Sequence, residues 1–389
     1  MTSREAKELK IIPSKNSAML SWKPRPILSP QLTEPVPLEE VYIGKLKDRK
    51  TTSKAIQMIS TARPGFSHLK RCNGFRLLLA PLMNDESEHQ KSPKIMSSDD
   101  LRRSLNSKGF DLSLLEDEFE IIKVPKRAAK TKIQATKCSD IWPVNFHPDP
   151  QLEAVISGDI FTTEQLCRIE ILMRIAIEAA RRESVGNSEC NGSALVVNPE
   201  NGEPLVLACS KIDQHPMWHA AMLAIDLVAK SQGGGTWDLH KSNLTIRNQS
   251  ETGQKRQSNK NSLLFYPPSL SDIEFPCSET KLLEVKATRK NKCSNIPRDD
   301  EHRDTTGPYL CTNLWVLLVQ EPCALCAMAL LHSRVSKIFY GIPGEHGVLG
   351  SKIMLHITPG LNHRYQVWSG ILEDECRRVC NEIKARDCI

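Results

Sequence analysis

Two cysteines near the C-terminal end of the chain have a spacing that suits metal binding. Cys323 and Cys326 are three residues apart, and Pro322 precedes them directly, as is common where a helix begins. Thiols at this spacing lie on one face of the first helical turn, where the positive end of the helix dipole favours the thiolate form. The same spacing is also typical of a redox pair or of two buried thiols. A metal site therefore needs at least one more ligand.

His219 is the candidate for that ligand, because it lies at the start of a second predicted helix. The segment HPMWHAAMLAIDLVAK predicts this helix from about Met217 to Lys230. His219 and Cys323 are 104 residues apart, but 76 of these residues form the segment 231–306, which leaves 28. Two helix starts joined by one strand fit that length. Cys₂His is a recognised ligand set for zinc, so the three residues predict a zinc site.

The elements around these residues predict a layered α/β domain over 151–389. A helix is expected near 162–183, where Thr162 and Gln165 fit a capping box, and SALVVNPENGEPLVLACS indicates a hairpin. The segment 231–306 is rich in Ser, Asn, Lys, Glu and Pro and is predicted to be a flexible insertion. Strand, helix, strand and a C-terminal helix after Ile371 follow, and this alternation is typical of an α/β fold.

The first 150 residues divide into three predicted parts. Residues 1–35 contain five prolines and no sustained periodicity, which predicts a flexible leader. Residues 36–125 alternate strand and helix patterns in the order β-α-β-α-β, which predicts a small α/β, ferredoxin-like module. The stretch 126–150 opens with several lysines and an arginine and no acidic residue, which indicates a basic linker.

Length and composition limit the classes of protein to which the chain can belong. A chain of 389 residues predicts two or three domains, and no apolar stretch approaches the ~20 residues that cross a bilayer. The N-terminus has no apolar stretch typical of a secretion signal, so we expect an intracellular protein. Thirteen cysteines, an odd number, favour reduced thiols over a disulfide framework.

Positive charge is concentrated in the N-terminal part. Residues 1–150 carry 26 Lys and Arg against 18 Asp and Glu, a net +8, whereas residues 151–389 carry 26 against 28, a net −2. This excess fits a polyanionic partner such as nucleic acid, and it fits a solvated basic surface equally well. The candidate RNA contacts are Lys70, Arg71, Lys126, Arg127, Lys130 and Lys132. For the last four, an import signal or a solvated tether is the alternative.

These motifs resemble the zinc-dependent nucleobase deaminases, whose signature is H-x-E followed by P-C-x-x-C. The segments EPCALCAMALLHSRVSKIFYG, GVLGSK and LNHRYQVWSGIL are similar to the tRNA adenosine deaminase branch. Together with LEEVYIGKL, HLKR and WPVNFHP, they resemble its eukaryotic non-catalytic subunit. The resemblance implies a three-layer α/β/α deaminase domain, and it implies that the zinc ligands are His219, Cys323 and Cys326.

The resemblance also places the family's proton-shuttling glutamate on Ala221. General acid–base catalysis contributes roughly 10²–10⁴-fold, and a methyl group cannot transfer protons, so we expect no deamination by this chain alone. Glu321 is the nearest substitute in the motif, but we interpret it as a structural or substrate-positioning residue. Water is the default fourth zinc ligand, and the Cys388 thiolate or the terminal carboxylate is the alternative.

The family implies a partner and a substrate as well. We expect a heterodimer with a catalytic deaminase subunit that acts on tRNA, converts adenosine to inosine at the wobble position, and is present in nucleus and cytoplasm without a membrane partner. The alternatives are an active nucleoside or nucleotide deaminase with an unconventional proton shuttle, or a stand-alone RNA-binding zinc protein. We interpret Trp142 as an inter-domain packing anchor or a partner contact, and Cys376 and Cys380 as ordinary thiols.

Overall fold

The computed structural model describes residues 22–84, 94–184, 192–239, 245–248, 262–276, 282 and 310–386. The chain forms two compact units. The N-terminal unit is Leu28–Ile160, and the C-terminal unit combines Phe161–Ile389 with Met1–Ile27. Among the described helices, none is both long and apolar enough to cross a membrane.

The described strands and helices are numbered along the chain. The strands are β1 (Arg25–Pro26), β2 (Leu38–Leu46), β3 (Cys72–Asn73), β4 (Arg76–Pro81), β5 (Met83–Asn84), β6 (Lys94–Ile95), β7 (Leu115–Pro125), β8 (Ser193–Asn198), β9 (Glu203–Cys209), β10 (Thr245–Asn248), β11 (Ser262–Tyr266), β12 (Trp315–Gln320), β13 (Lys337–Ile342) and β14 (Gln366–Ser369). The helices are α1 (Pro30–Thr33), α2 (Thr52–Ala62), α3 (Ser98–Ser107), α4 (Lys132–Ser139), α5 (Pro150–Ser157), α6 (Thr163–Glu183), α7 (Ala220–Ser231), α8 (Ala324–His332) and α9 (Glu373–Arg386).

The C-terminal unit is built on one mixed sheet with helices on both faces. Its strand order is β1-β14-β13-β12-β8-β9-β11-β10. Alternate residues of β12, Val316 and Leu318, face a core shared with α7 and α8, whereas α6 contacts β8 and β12 and α9 contacts α6 and β13. The prediction of a layered α/β domain is therefore confirmed, with the sheet between two helical layers.

Local signals in the sequence set the start of α6. The Thr162 hydroxyl accepts a hydrogen bond from the Gln165 amide at 3.2 Å, and the Gln165 side chain accepts one from the Thr162 amide at 2.8 Å. This is the predicted capping box, which satisfies two amides at the helix start. The hairpin of β8 and β9 is likewise observed as predicted.

The N-terminal unit has a four-stranded sheet in the order β3-β4-β2-β7, whose core includes buried residues of α2 and α3. The alternation of strands and helices was predicted. A ferredoxin-like β-α-β unit requires parallel strands on either side of the helix. Here β2 and β4, which flank α2, are antiparallel, because the chain reverses through the β3–β4 hairpin before β4. The ferredoxin-like arrangement is therefore not observed.

Parts of the predicted leader and linker are ordered. In the leader, β1 pairs with β14, and Ser29 caps the short helix α1, while residues 1–21 lie outside the described residues. In the linker 126–150, α4 forms and Trp142 is almost fully buried. The prediction of a flexible leader is wrong for the described part of residues 1–35, because β1 pairs with a distant strand. The stretch 126–150, predicted as a basic linker, packs within the N-terminal unit.

The predicted insertion is also ordered in part. Strand β11 pairs in parallel with β9, and β10 pairs with β11, so both extend the sheet of the C-terminal unit. After β11, Asp272 forms an ion pair with Arg182 of α6 at 2.9 Å. The prediction of a wholly flexible insertion over 231–306 is therefore wrong for these strands.

Candidate metal centre

The three predicted zinc ligands meet at one point in the C-terminal unit. Nδ1 of His219 lies 3.4 Å from Sγ of Cys326 and 3.7 Å from Sγ of Cys323. All three ligand atoms lie within 4.8 Å of one another. A tetrahedral zinc with bonds of about 2.0 Å to nitrogen and 2.3 Å to sulfur separates such atoms by about 3.5 Å. The donor set and its spacing therefore fit a zinc ion.

Two helix starts carry the ligands. His219 is the N-cap residue of α7 and Cys323 is the N-cap residue of α8, while Cys326 lies in the first turn of α8. Helix α7 begins later than the predicted Met217, because His219 itself has an extended backbone, with φ −65° and ψ 149°. The positive ends of both helices thus face the cluster and favour thiolates over thiols.

Sheet topology explains why the helix starts are neighbours. Strand β9 leads into α7 and β12 leads into α8, and β8 lies between the two strands. Because β8 is antiparallel to both, β9 and β12 are parallel and end at the same edge of the sheet. His219 and Cys323, which are 104 residues apart in sequence, therefore lie at the same edge of one sheet.

Ala221 lies in the first turn of α7, two residues after His219, and is 3% exposed. Its methyl group lines a small pocket together with Ser193, Gln320 and Cys326. The Ser193 hydroxyl donates a hydrogen bond to the backbone oxygen of Ala176. Position 221 therefore brings an apolar group, and no titratable one, to this pocket.

The carboxylate of Glu321 holds a loop. Its Oε1 accepts hydrogen bonds from the amides of Leu349 and Ser351 at 2.7 and 3.1 Å. Its Oε2 accepts from the amide of Gly344 at 3.0 Å and from the Ser351 hydroxyl. The side chain is 2% exposed, and both oxygens serve the loop 344–351. These contacts agree with the structural interpretation of Glu321.

The candidate RNA contacts lie in the N-terminal unit, apart in the chain from the metal ligands. Four lysines of this set are exposed, namely Lys70, Lys126, Lys130 and Lys132, and Arg127 is half-buried. Lys130 Nζ donates to the Gln31 side chain at 2.6 Å. The lysines can therefore meet a polyanion at the surface of this unit.

Arg71 differs from these lysines because its guanidinium serves the fold. It donates hydrogen bonds to the backbone oxygens of Gly65 at 2.9 Å and of Arg63 at 2.8 Å. Burial lowers the pKa of Arg71 to about 10. These contacts favour a structural role over the expected phosphate contact.

The segment that follows α4 positions the loop that carries Lys70. Trp142 Nε1 donates to the Lys70 backbone oxygen at 2.7 Å, and Asn145 Nδ2 donates to the backbone oxygens of Ser67 and Leu69 at 3.0 and 3.1 Å. The Trp142 ring packs in a core within the N-terminal unit. The prediction of an inter-domain anchor is therefore wrong, because Trp142 packs inside one unit. Asn145 was not predicted, because a lone polar residue gives no periodic signal.

Two other cysteines singled out from the sequence, Cys376 and Cys380, do not join the cluster. Cys376 and Cys380 are buried in α9, and burial raises the pKa of Cys380 to about 11. They are neutral thiols at ordinary pH. Cys388 lies outside the described residues.

The comparisons with known proteins cover nearly the whole chain, although no family model matches it. A human protein named "Probable inactive tRNA-specific adenosine deaminase-like protein 3" is 30% identical over 92% of this chain and 91% of its own length. "tRNA-specific adenosine deaminase TAD3" of Arabidopsis thaliana is 25% identical over 91% of this chain and 96% of its own length. "tRNA-specific adenosine deaminase subunit tad3" of Schizosaccharomyces pombe is 24% identical over 90% of each chain.

A layered α/β unit with a His-Cys-Cys cluster at two helix starts is the arrangement expected of deaminase-like proteins. The human relative defines the family within this class, since it aligns with the chain over nearly its full length. The chain belongs to the family of tRNA-specific adenosine deaminase-like protein 3. The resemblance inferred from the motifs is thereby confirmed.

Proposed function

We propose that this chain is the non-catalytic, tRNA-binding subunit of a zinc-dependent heterodimer that converts adenosine to inosine at the tRNA wobble position. Support comes from the relatives, one named a probable inactive deaminase-like protein and another a deaminase subunit. The single observation that carries the proposal is the apolar Ala221 at the proton-shuttle position, beside the complete ligand cluster of His219, Cys323 and Cys326.

The ligand cluster supports a structural metal in this chain. His219, Cys323 and Cys326 would hold zinc, and the binding free energy of the metal then adds to the stability of the fold. Because the ligands come from the starts of α7 and α8, this stabilisation joins two helices that are distant in sequence. The cluster thus retains a role without chemistry of its own.

Chemistry requires a group that moves protons, and this chain does not supply one at position 221. Proton transfer by a positioned side chain contributes roughly 10²–10⁴-fold to such reactions. The catalytic partner would bring the missing glutamate, and this chain would bring tRNA affinity. The contacts of both Glu321 oxygens with the loop 344–351 argue against Glu321 as an unconventional shuttle.

The exposed lysines of the N-terminal unit support a contact with the phosphate backbone of tRNA. Lys70, Lys126, Lys130 and Lys132 are exposed. Phosphate contacts of this kind position a nucleic acid without reading its sequence, and their affinity falls as salt rises. This chain would then hold the tRNA body while the partner acts on the base.

The test is inosine formation in a full-length tRNA that carries adenosine at the wobble position. We compare this chain alone, the catalytic partner alone, and the two coexpressed. The proposal expects inosine only from the coexpressed pair, unchanged by Ala221→Ser. Inosine from this chain alone would overturn the non-catalytic assignment. If no deaminase chain copurifies with this chain from cells, a stand-alone RNA-binding protein is favoured.

A further inference from the structure

Trp218 directly precedes the ligand His219, and three other rings enclose its side chain. His215 stacks on it with ring centroids 5.5 Å apart. Trp237 and Tyr266 meet it edge to face at 6.3 and 5.9 Å. Nε1 of Trp218 is buried without a hydrogen-bond partner among the described residues. Aromatic packing therefore holds this ring in place.

Two of the three enclosing rings come from the segment 231–306. Tyr266 ends strand β11, where the parallel pairing with β9 places it opposite Ala208. Trp237 lies shortly after α7, before the first undescribed part of this segment. Described residues of the insertion thus provide two of the three rings that enclose Trp218.

Helix α7 itself fixes Trp237. The Asp226 carboxylate is 6% exposed, and its Oδ1 accepts hydrogen bonds from the amides of Thr236 at 2.5 Å and Trp237 at 3.4 Å. Lys230 Nζ donates to the Trp237 backbone oxygen and lies 3.6 Å from Asp226 Oδ2. Helix α7 therefore carries His219 at its start, and its residues Asp226 and Lys230 hold the backbone of Trp237.

The backbone before His219 is fixed together with the Trp218 ring. The Trp218 amide donates to the His215 backbone oxygen at 2.9 Å, and its carbonyl accepts from the Lys211 amide at 2.9 Å. The next residue, His219, begins α7 and points its imidazole at the two cysteines. Movement of Trp218 would therefore reorient the imidazole directly.

We infer that Trp237 is a positioning residue for the metal ligand His219, acting through the ring of Trp218. The inference rests on the proposed zinc site and adds to it a role for the insertion. Partners that orient a metal ligand commonly change metal affinity by about 10- to 100-fold when they are removed. A merely structural role of Trp237 would lower stability without this selective effect on the metal.

The experiment measures the rate at which the zinc-loaded full chain releases zinc to a chromophoric chelator. The test variant is Trp237→Ala, and Trp237→Phe restores a ring. The matched control is Phe275→Ala, because Phe275 is also a half-buried aromatic residue of the insertion but packs on Phe265, with centroids 6.2 Å apart. Thermal unfolding of each metal-free variant reports stability separately.

We expect Trp237→Ala to release zinc about tenfold faster or more, with Trp237→Phe and Phe275→Ala close to the unsubstituted chain. Should Trp237→Ala fail to fold, Lys230→Met removes the hydrogen bond to the Trp237 backbone oxygen while it leaves the ring and the two Asp226 hydrogen bonds, and it should also accelerate zinc release. Equal release rates for Trp237→Ala, or for Lys230→Met in its place, and Phe275→Ala would overturn the inference.

The same measurement separates the two proposals. An unsubstituted chain that binds no zinc at all would contradict the zinc site under the proposed function. An unsubstituted chain that holds zinc, with all variants releasing it equally, would contradict only the positioning role of Trp237.

Discussion

At the scale of single residues, the surroundings of each thiol decide what it can do. Burial raises the pKa of Cys311 to about 12, so this thiol stays neutral. Cys323 and Cys326 instead lie at the start of α8, which faces the start of α7 across the cluster. Identical side chains thus differ in the electrostatic environment that their backbone positions create.

Removal of one thiol from the cluster should remove the metal. We expect Cys323→Ala to lose zinc, to unfold at a lower temperature and to abolish inosine formation by the heterodimer, because two ligands bind zinc poorly. Zinc content by mass spectrometry and thermal unfolding are the measurements. Cys311→Ala, a buried thiol of the same unit, should keep its zinc. Full zinc content in Cys323→Ala would contradict the ligand assignment.

His356 should make stability depend on pH. It is 3% exposed, its Nε2 lies 3.1 Å from the Ile27 backbone oxygen, and burial lowers its pKa below the ordinary 6.5. Below that ordinary value the unfolded chain binds more protons than the folded chain, so the unfolding free energy falls as pH falls. We expect His356→Gln to weaken this dependence in urea unfolding between about pH 7.5 and 5.5. His332→Gln, at an exposed position, should leave it unchanged, and an equal effect of the two substitutions would refute the assignment.

At the scale of elements, the connection from β12 to α8 positions both the candidate metal centre and the loop 344–351. Glu321 lies between the strand and the helix, and its carboxylate accepts hydrogen bonds from three backbone amides of that loop. Two residues further on, Cys323 begins α8. One short connection therefore fixes a ligand and a loop.

The amide analogue of Glu321 should loosen that loop. In Glu321→Gln one oxygen becomes a donor that faces backbone N–H groups, and hydrogen bonds to a charged acceptor contribute about 1.5–3 kcal/mol each. We expect the unfolding free energy to fall by about 2 kcal/mol, measured by urea denaturation. The control is Glu345→Gln, an exposed residue of the same loop, which should change it by less than about 0.5 kcal/mol. Equal effects of the two changes would show that the carboxylate contacts do not stabilise the loop.

At the scale of the whole molecule, the positive charge of residues 1–150 is divided between the two units. Residues 1–27, which belong to the C-terminal unit, carry 6 Lys and Arg against 2 Asp and Glu, and the N-terminal unit 28–160, which contains the exposed Lys70 and Lys126, carries 20 against 18. His68 Nε2 lies 2.8 Å from the Pro125 backbone oxygen, which brings the loop of Lys70 next to the strand end before Lys126. The segments that precede these two lysines therefore contact each other although they are distant in sequence.

Substitution of one of these lysines should weaken tRNA binding by the heterodimer. We expect Lys126→Ala to lower affinity and to reduce the slope of affinity against salt by about one, as for the loss of one phosphate contact. Titration at several salt concentrations measures both. Lys108→Ala, an exposed lysine of the same unit outside the candidate set, is the control. Arg71→Ala should mainly lower the stability of the fold, because its guanidinium binds backbone oxygens. Indistinguishable titrations of Lys126→Ala and Lys108→Ala would count against a tRNA contact at Lys126.

The sequence by itself determined the chemistry of the site and several local structures. The Cys323–Cys326 spacing, the helix start at His219 and the methyl group at Ala221 are properties of short segments, as is the capping box of α6. Such features depend on residue type and on neighbours a few positions away, so they can be recognised without a fold.

Only the tertiary structure decided the rest. The antiparallel direction of β2 and β4, the strands β10 and β11 within the insertion, and the hydrogen bonds of Arg71 all depend on partners far along the chain. The enclosure of Trp218 by Trp237 and Tyr266 is of the same kind. Strand pairing and the satisfaction of buried polar groups are set by whichever distant segment lies alongside, and local sequence carries little record of that choice.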